Sequence, residues 1–174
     1  GRFIDNNRLL TVGRRVILWD CESATAVYSY PISETNNPAL SANGKQLAVV
    51  SGKSVFIINV NDGNILGKIE PPTATKFLAF SPSGESLAGI NSISGEIWIW
   101  DLTNNQLTRE LSAPPAMVQS MTWVGEEYLL INNSSLIDIE LRATVWSYRS
   151  TGGSILNAND SRFWFIGKSK FTPI

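Results

Sequence analysis

The chain has 174 residues, 43% of them hydrophobic and 17% charged, enough apolar material for a buried core. Its net charge is −1 with no long run of one sign, which argues against a nucleic-acid partner, and no apolar stretch nears the ~18 residues of a membrane-crossing helix. Histidine is absent altogether, which removes Ser-His-Asp and Cys-His arrangements, histidine-based metal sites and the commonest general base.

One cysteine, Cys21, leaves no internal disulfide, which fits a reducing compartment. It follows Asp20 at a strand end and has no neighbour that would activate a thiol.

Turn signals and short β-prone runs alternate along the chain, and four strands, a to d, recur per unit. In the first unit, residues 1–30, Phe3 to Asp5 ends a, Arg8 to Val12 is b, Arg15 to Trp19 is c and Ala26 to Tyr30 is d. The second, 39–70, has a at Ala39 to Ser41, b at Gln46 to Val50, c at Val55 to Val60 and d at Ile65 to Ile69. The third, 76–111, has a at Phe77 to Phe80, b at Ser86 to Ile90, c at Glu96 to Trp100 and d at Gln106 to Leu111. The fourth, 117–150, has a at Val118 to Trp123, b at Tyr128 to Ile131, c at Leu136 to Leu141 and d at Thr144 to Arg149. A partial fifth, 153–174, has a at Ser154 to Asn157 and b at Arg162 to Ile166.

The strongest repeat is strand c. Ile97, Trp98, Ile99 and Trp100 run unbroken to Asp101, so both faces of that strand should be buried. VILWD at Val16 to Asp20 is the same phrase, and VFIINV and LIDIEL are weaker copies at Val55 and Leu136. Trp19, Ile58, Trp100 and Ile139 match, at spacings of 39, 42 and 39. Ser41 and Gly44 recur 40 residues on as Ser81 and Gly84, so turns and strands share one period. A period of ~40 with Trp-Asp closing a strand predicts an all-β fold of propeller blades, four antiparallel strands each, about four blades plus part of a fifth.

VILWD, IWIWD and LAFSPSGESLA at Leu78 to Ala88 resemble the WD-repeat β-propeller family across essentially the whole chain, most specifically in units one and three. The resemblance implies a Ser-Pro-x-Gly turn between a and b and Trp-Asp at the end of c. It also implies that these residues are part of a longer propeller. The family's usual Gly-His pair is missing, and Lys53, Ser94 and Ser134 lie in b–c turns where the family carries aspartate. The family's histidine network is therefore not expected here.

Trp19, Trp98 and Trp100 are expected to pack between blades, as are Trp123 and Trp164 in strands a and b. Asp138 and Glu140, at i and i+2 of the expected strand, would share one face. Paired carboxylates of glycosidases flank a sugar from opposite sides, so this pair reads as an ion-paired face with Arg142 and Arg149 nearby. Glu126 and Glu127 form a turn pair with no partner implied. Glycine-rich phosphate loops and cysteine-based zinc spacings are absent, and no cofactor is expected.

The functional expectation is a non-catalytic protein–protein interaction scaffold, because a propeller presents loops on rigid rims. The alternatives are a segment of a larger enzyme whose catalytic residues lie outside this stretch, or a carbohydrate-binding propeller. The long d–a connections share a rim with the b–c turns, and Asn36, Asn37, Lys53, Thr75, Asn91 and Asn132 on it are the expected partner contacts. Expected partners are other proteins or peptides, and the remaining blades of the same chain or a second copy.

Overall fold

The computed structural model describes residues 1–32, 37–114 and 117–147, and the backbone of two further strands. The first sheet is β1 (Arg2–Phe3), β2 (Arg8–Val12), β3 (Arg15–Asp20) and β4 (Thr25–Pro31). The second is β5 (Ala39–Leu40), β6 (Gln46–Ser51), β7 (Ser54–Asn59) and β8 (Ile65–Ile69). The third is β9 (Phe77–Phe80), β10 (Ser86–Ile90), β11 (Glu96–Asp101) and β12 (Gln106–Ser112). The fourth is β13 (Met121–Val124), β14 (Tyr128–Ile131), β15 (Ser135–Asp138) and β16 (Ala143–Ser147). In each, sequence neighbours pair antiparallel in the order a-b-c-d, and β17 (Ser154–Ala158) pairs with β18 (Arg162–Ile166) as the start of a fifth. No helix occurs among the described residues.

The blades stack face to face, with the a strands β5, β9 and β13 side by side at the centre. Alternation along strand c explains its unbroken apolar run. Ile97 and Ile99 join Met121, Trp123 and Leu129 in a core between blades three and four. Trp98 and Trp100 point the other way and pack with Val55 and Ile57 of blade two. Blade two repeats the pattern, sending Leu47, Val49 and Ile58 toward Leu10, Val16 and Leu18 of blade one. The inner strands β6, β10 and β11 keep their two-residue period with both faces interior, whereas the outer d strands β4, β12 and β16 are mostly exposed. In the first blade Leu9, Ile17 and Trp19, on the face away from blade two, are half-buried.

In each of the first four blades strand d carries one extra residue, Val27, Leu66, Thr108 or Val145, so the c–d register shifts just before Trp19, Ile58, Trp100 and Ile137 of strand c. The next residue, Asp20, Asn59, Asp101 or Asp138, pairs with the first residue of strand b. The residue after that donates its N–H back to the chain before strand b: Cys21 to Asn7 (2.7 Å), Val60 to Lys45 (2.9 Å), Leu102 to Glu85 (2.8 Å) and Ile139 to Glu127 (2.9 Å). The equivalent of Trp100 in blade four is therefore Ile137, and the expected match to Ile139 is out by two residues. Asp138 is the cause. Its Oδ1 accepts the N–H groups of Glu140 (2.9 Å) and Leu141 (2.8 Å), which turns the chain and ends the strand early.

The same acid-capped turn closes strand c elsewhere. Asp20 accepts from Glu22 and Ser23, Asn59 from Asn61, and Asp101 from Thr103. The Ser23 backbone N–H, then the Ser23 side chain, hold the Asp20 carboxyl below its ordinary range, and Thr103 does the same for Asp101. The Trp-Asp aspartates thus work as turn caps in this chain.

Strand a of blade four is also shorter than expected, beginning at Met121 instead of Val118. The Oδ1 of Asn132 takes the N–H of Gln119 (2.7 Å) and of Ser120 (3.3 Å), so those amides bond a side chain rather than a strand. The expected turns at Asn159-Asp160 and at 167–169 lie outside the described residues.

Candidate functional site

Antiparallel order puts the b–c turns and d–a connections on one rim and the a–b and c–d turns on the other. The first rim carries a cleft of about 250 Å3 between blades two and three, lined by Val50, Lys53, Pro71, Pro72, Thr73 and Thr75 among others. The β6–β7 hairpin supplies Lys53, next to Gly52 at φ 62°, a left-handed conformation that glycine adopts without strain. The β8–β9 connection supplies the rest, where Pro71-Pro72 cannot continue strand pairing.

Lys53 is the cleft's one charged lining residue, and it makes no ion pair among the described residues. Thr75 is 6% exposed, and its Oγ1 is buried with no hydrogen-bond partner among the described residues. Such an orphaned hydroxyl is uncommon in a folded interior. Asn37 lies alongside, donating from Nδ2 to the Lys76 carbonyl at 3.3 Å.

Thr73 links the cleft to the neighbouring b–c turn. It accepts from Asn91 Nδ2 at 3.2 Å and donates to Glu96 Oε2 at 3.3 Å. Asn91 Oδ1 accepts the N–H groups of Ile93 (2.9 Å) and Ser94 (3.1 Å). This holds Ile93 at the turn tip, 87% exposed. The Val118 N–H donates to the Ser92 carbonyl at 3.1 Å, which brings Met117, 72% exposed, beside that tip. Two large exposed apolar side chains thus lie on neighbouring, hydrogen-bonded loops of the rim that holds the cleft.

The expected contact residues divide by what their polar atoms do. Lys53 and Thr75 share the cleft, with Asn37 nearby. Asn91 and Asn132 spend their amides inside the chain, Asn132 also donating to the Met117 carbonyl at 3.0 Å. They brace the rim loops. Asn36 lies outside the described residues. Ile93 and Met117 were not among the expected contacts. The readable signal was an isoleucine inside an otherwise polar turn, Asn91 to Gly95.

The other candidates settle into structural places. Trp98, Trp100 and Trp123 are buried, and Trp123 donates its indole N–H to the Ala79 carbonyl across the blade boundary at 2.9 Å. The side chain of Trp164 lies outside the described residues. Glu140 pairs with Arg109 of the preceding blade at 2.6 Å, not with Arg142, and Arg149 is outside the described residues. Asp138 is the turn cap, so the two carboxylates do not share a strand face. Glu126, with no partner implied by the sequence, accepts the Ser83 N–H of the neighbouring blade at 2.6 Å. No group of three or more metal-ligating side chains occurs among the described residues.

No protein-family model matches the chain. It is 27% identical over 108 residues to an uncharacterised WD repeat-containing protein of Synechocystis, covering 59% of this chain and 30% of that protein. Among solved structures it superposes on U3-55K with a TM-score of 0.70 at 17% identity, over 86% of this chain and 50% of that one. The RRP9 WD40 repeats give 0.68 at 17%, over 83% and 48%, and hydrazine synthase of Kuenenia stuttgartiensis gives 0.69 at 13%, over 98% and 56%. At these identities the structural matches speak to the fold. The chain spans about half the length of the structures it matches, and less than a third of the curated relative.

Proposed function

Because the chain is a divergent WD-repeat β-propeller, we propose that it is a non-catalytic scaffold that binds other proteins through the rim of its b–c turns and d–a connections. The observation that carries this reading is the exposed pair Ile93 and Met117. Single apolar residues on a surface are ordinary, but large ones on neighbouring hydrogen-bonded loops are the usual makings of a contact centre. The a–b and c–d turns of the opposite rim are closed by their own side chains, and its exposed large apolar residues, Phe3, Ile65 and Leu141, belong to separate blades. Asn37, Lys53 and Thr75 are proposed as flanking contacts, with Asn91 and Asn132 fixing the loops.

The test places a positive charge at the exposed apolar positions of each rim in turn. Ile93→Lys with Met117→Lys should abolish capture of proteins from the source cells, and Leu141→Lys should leave capture intact, with equal melting temperatures throughout. Capture that survives the double change and fails with Leu141→Lys would put recognition on the other rim.

A further inference from the structure

We propose that the cleft between blades two and three takes up a glutamate side chain of the partner protein. This rests on the reading of this rim as the recognition face. Three features choose the ligand. The one charge in the lining is the Lys53 ammonium, which has no acidic partner among the described residues, so the complement is an anion. The Thr75 hydroxyl is buried without a partner among the described residues in the same wall, and a small shift of the lining would let it donate to a carboxylate oxygen. The rest of the lining is largely apolar, with Val50, Pro71, Pro72 and Ala74, which suits a methylene stem under the carboxylate. About 250 Å3 holds one side chain and falls short of the roughly 300–1,000 Å3 common for whole small-molecule ligands.

Cleft and apolar tip are joined physically. Thr73, in the cleft wall, is hydrogen-bonded to the Asn91 that fixes Ile93. A partner segment laid along this rim would meet Ile93 and Met117 with apolar side chains and the cleft with its glutamate.

The experiment titrates the 174-residue chain with N-acetyl-glutamate N-methylamide, following backbone amide resonances. Shifts at Gly52, Lys53 and Thr75 are expected, with binding about tenfold weaker for the glutamine analogue. Lys53→Met should abolish the shifts and Lys53→Arg should retain them. Thr75→Val should raise the melting temperature, because it removes an unpartnered buried hydroxyl, yet weaken binding. Equal response to the glutamine analogue would overturn the proposal, as would stronger binding of N-acetyl-alanine, whose only carboxylate is terminal. The Ile93→Lys, Met117→Lys chain should still bind the glutamate compound. No response to the glutamate compound in a chain that loses capture with the double change would overturn the cleft proposal alone, and capture that survives the double change beside an intact titration would overturn the rim reading alone.

Discussion

Ser41 and Ser81 stand forty residues apart and do the same work in successive blades. Both are buried, at 0% and 1% exposure. Each Oγ accepts the N–H of the residue that opens strand b, Gln46 at 2.9 Å and Ser86 at 3.2 Å. Each carbonyl accepts from the glycine three residues on, Gly44 or Gly84, at 2.9 Å. Removing either hydroxyl strands a backbone donor, so Ser41→Ala and Ser81→Ala should each cost about 1–2 kcal/mol. Denaturant midpoints of the two variants, expected to shift alike, check this.

Trp100 and Trp19 follow the same register shift between strands c and d, yet differ in cover. Trp100 is 2% exposed between blades, whereas Trp19 is half-buried on the outer face of blade one and bonds Thr11 Oγ1 at 3.0 Å. Trp100→Ala should cost about 3–5 kcal/mol. Trp19→Ala should cost clearly less in the same chain, measured by urea unfolding.

Gly63 sits at φ 76° in the c–d turn of blade two, where a Cβ would lie 2.8 Å from Tyr28 Cγ and 2.8 Å from Tyr30 Cε2. Gly44, at φ 69°, has open space around it. Gly63→Ala should cost about 2–4 kcal/mol from left-handed strain plus overpacking, and Gly44→Ala about 1 from strain alone. Melting temperatures of the two variants give the comparison.

The Tyr28 hydroxyl donates to the Val60 carbonyl at 2.9 Å and ties blade one to blade two. Burial, aided by Tyr30 and Asp62, pushes its pKa up to about 12. The folded chain holds the proton more tightly than the unfolded one, which ionises near 10. This contribution is thus complete below pH 10 and lost as pH rises toward 12. Tyr28→Phe should flatten the decline in stability between those values, read from unfolding at stepped pH.

Where one local signal sufficed, the sequence was legible. Strands β2, β8, β9, β10, β14 and β18 have the bounds that their β-prone runs predict. Ser41 and Ser81 marked the period through turns, Trp19 and Trp100 through strands. The errors lie where a side chain competes with the backbone. LIDIEL alternates like one strand, but the Asp138 carboxylate ends it, and Asn132 takes two amides that the apolar pattern gave to strand a. The rim was located from connectivity. Its contents were not, because the pairing of Asn91 with Thr73, or of Ser92 with Val118, joins residues distant in sequence. Cross-blade partners such as Glu126 and Ser83 escape sequence reading for the same reason.

The proposed recognition face is the Ile93 rim. The most direct measurement is photo-crosslinking from a benzophenone amino acid placed at Ile93 in one variant and at Leu141 in another, under conditions where the partner is captured. Adducts from position 93, lost when Met117→Lys is added, are the predicted result. Adducts from position 141 with none from 93 would put recognition on the opposite rim.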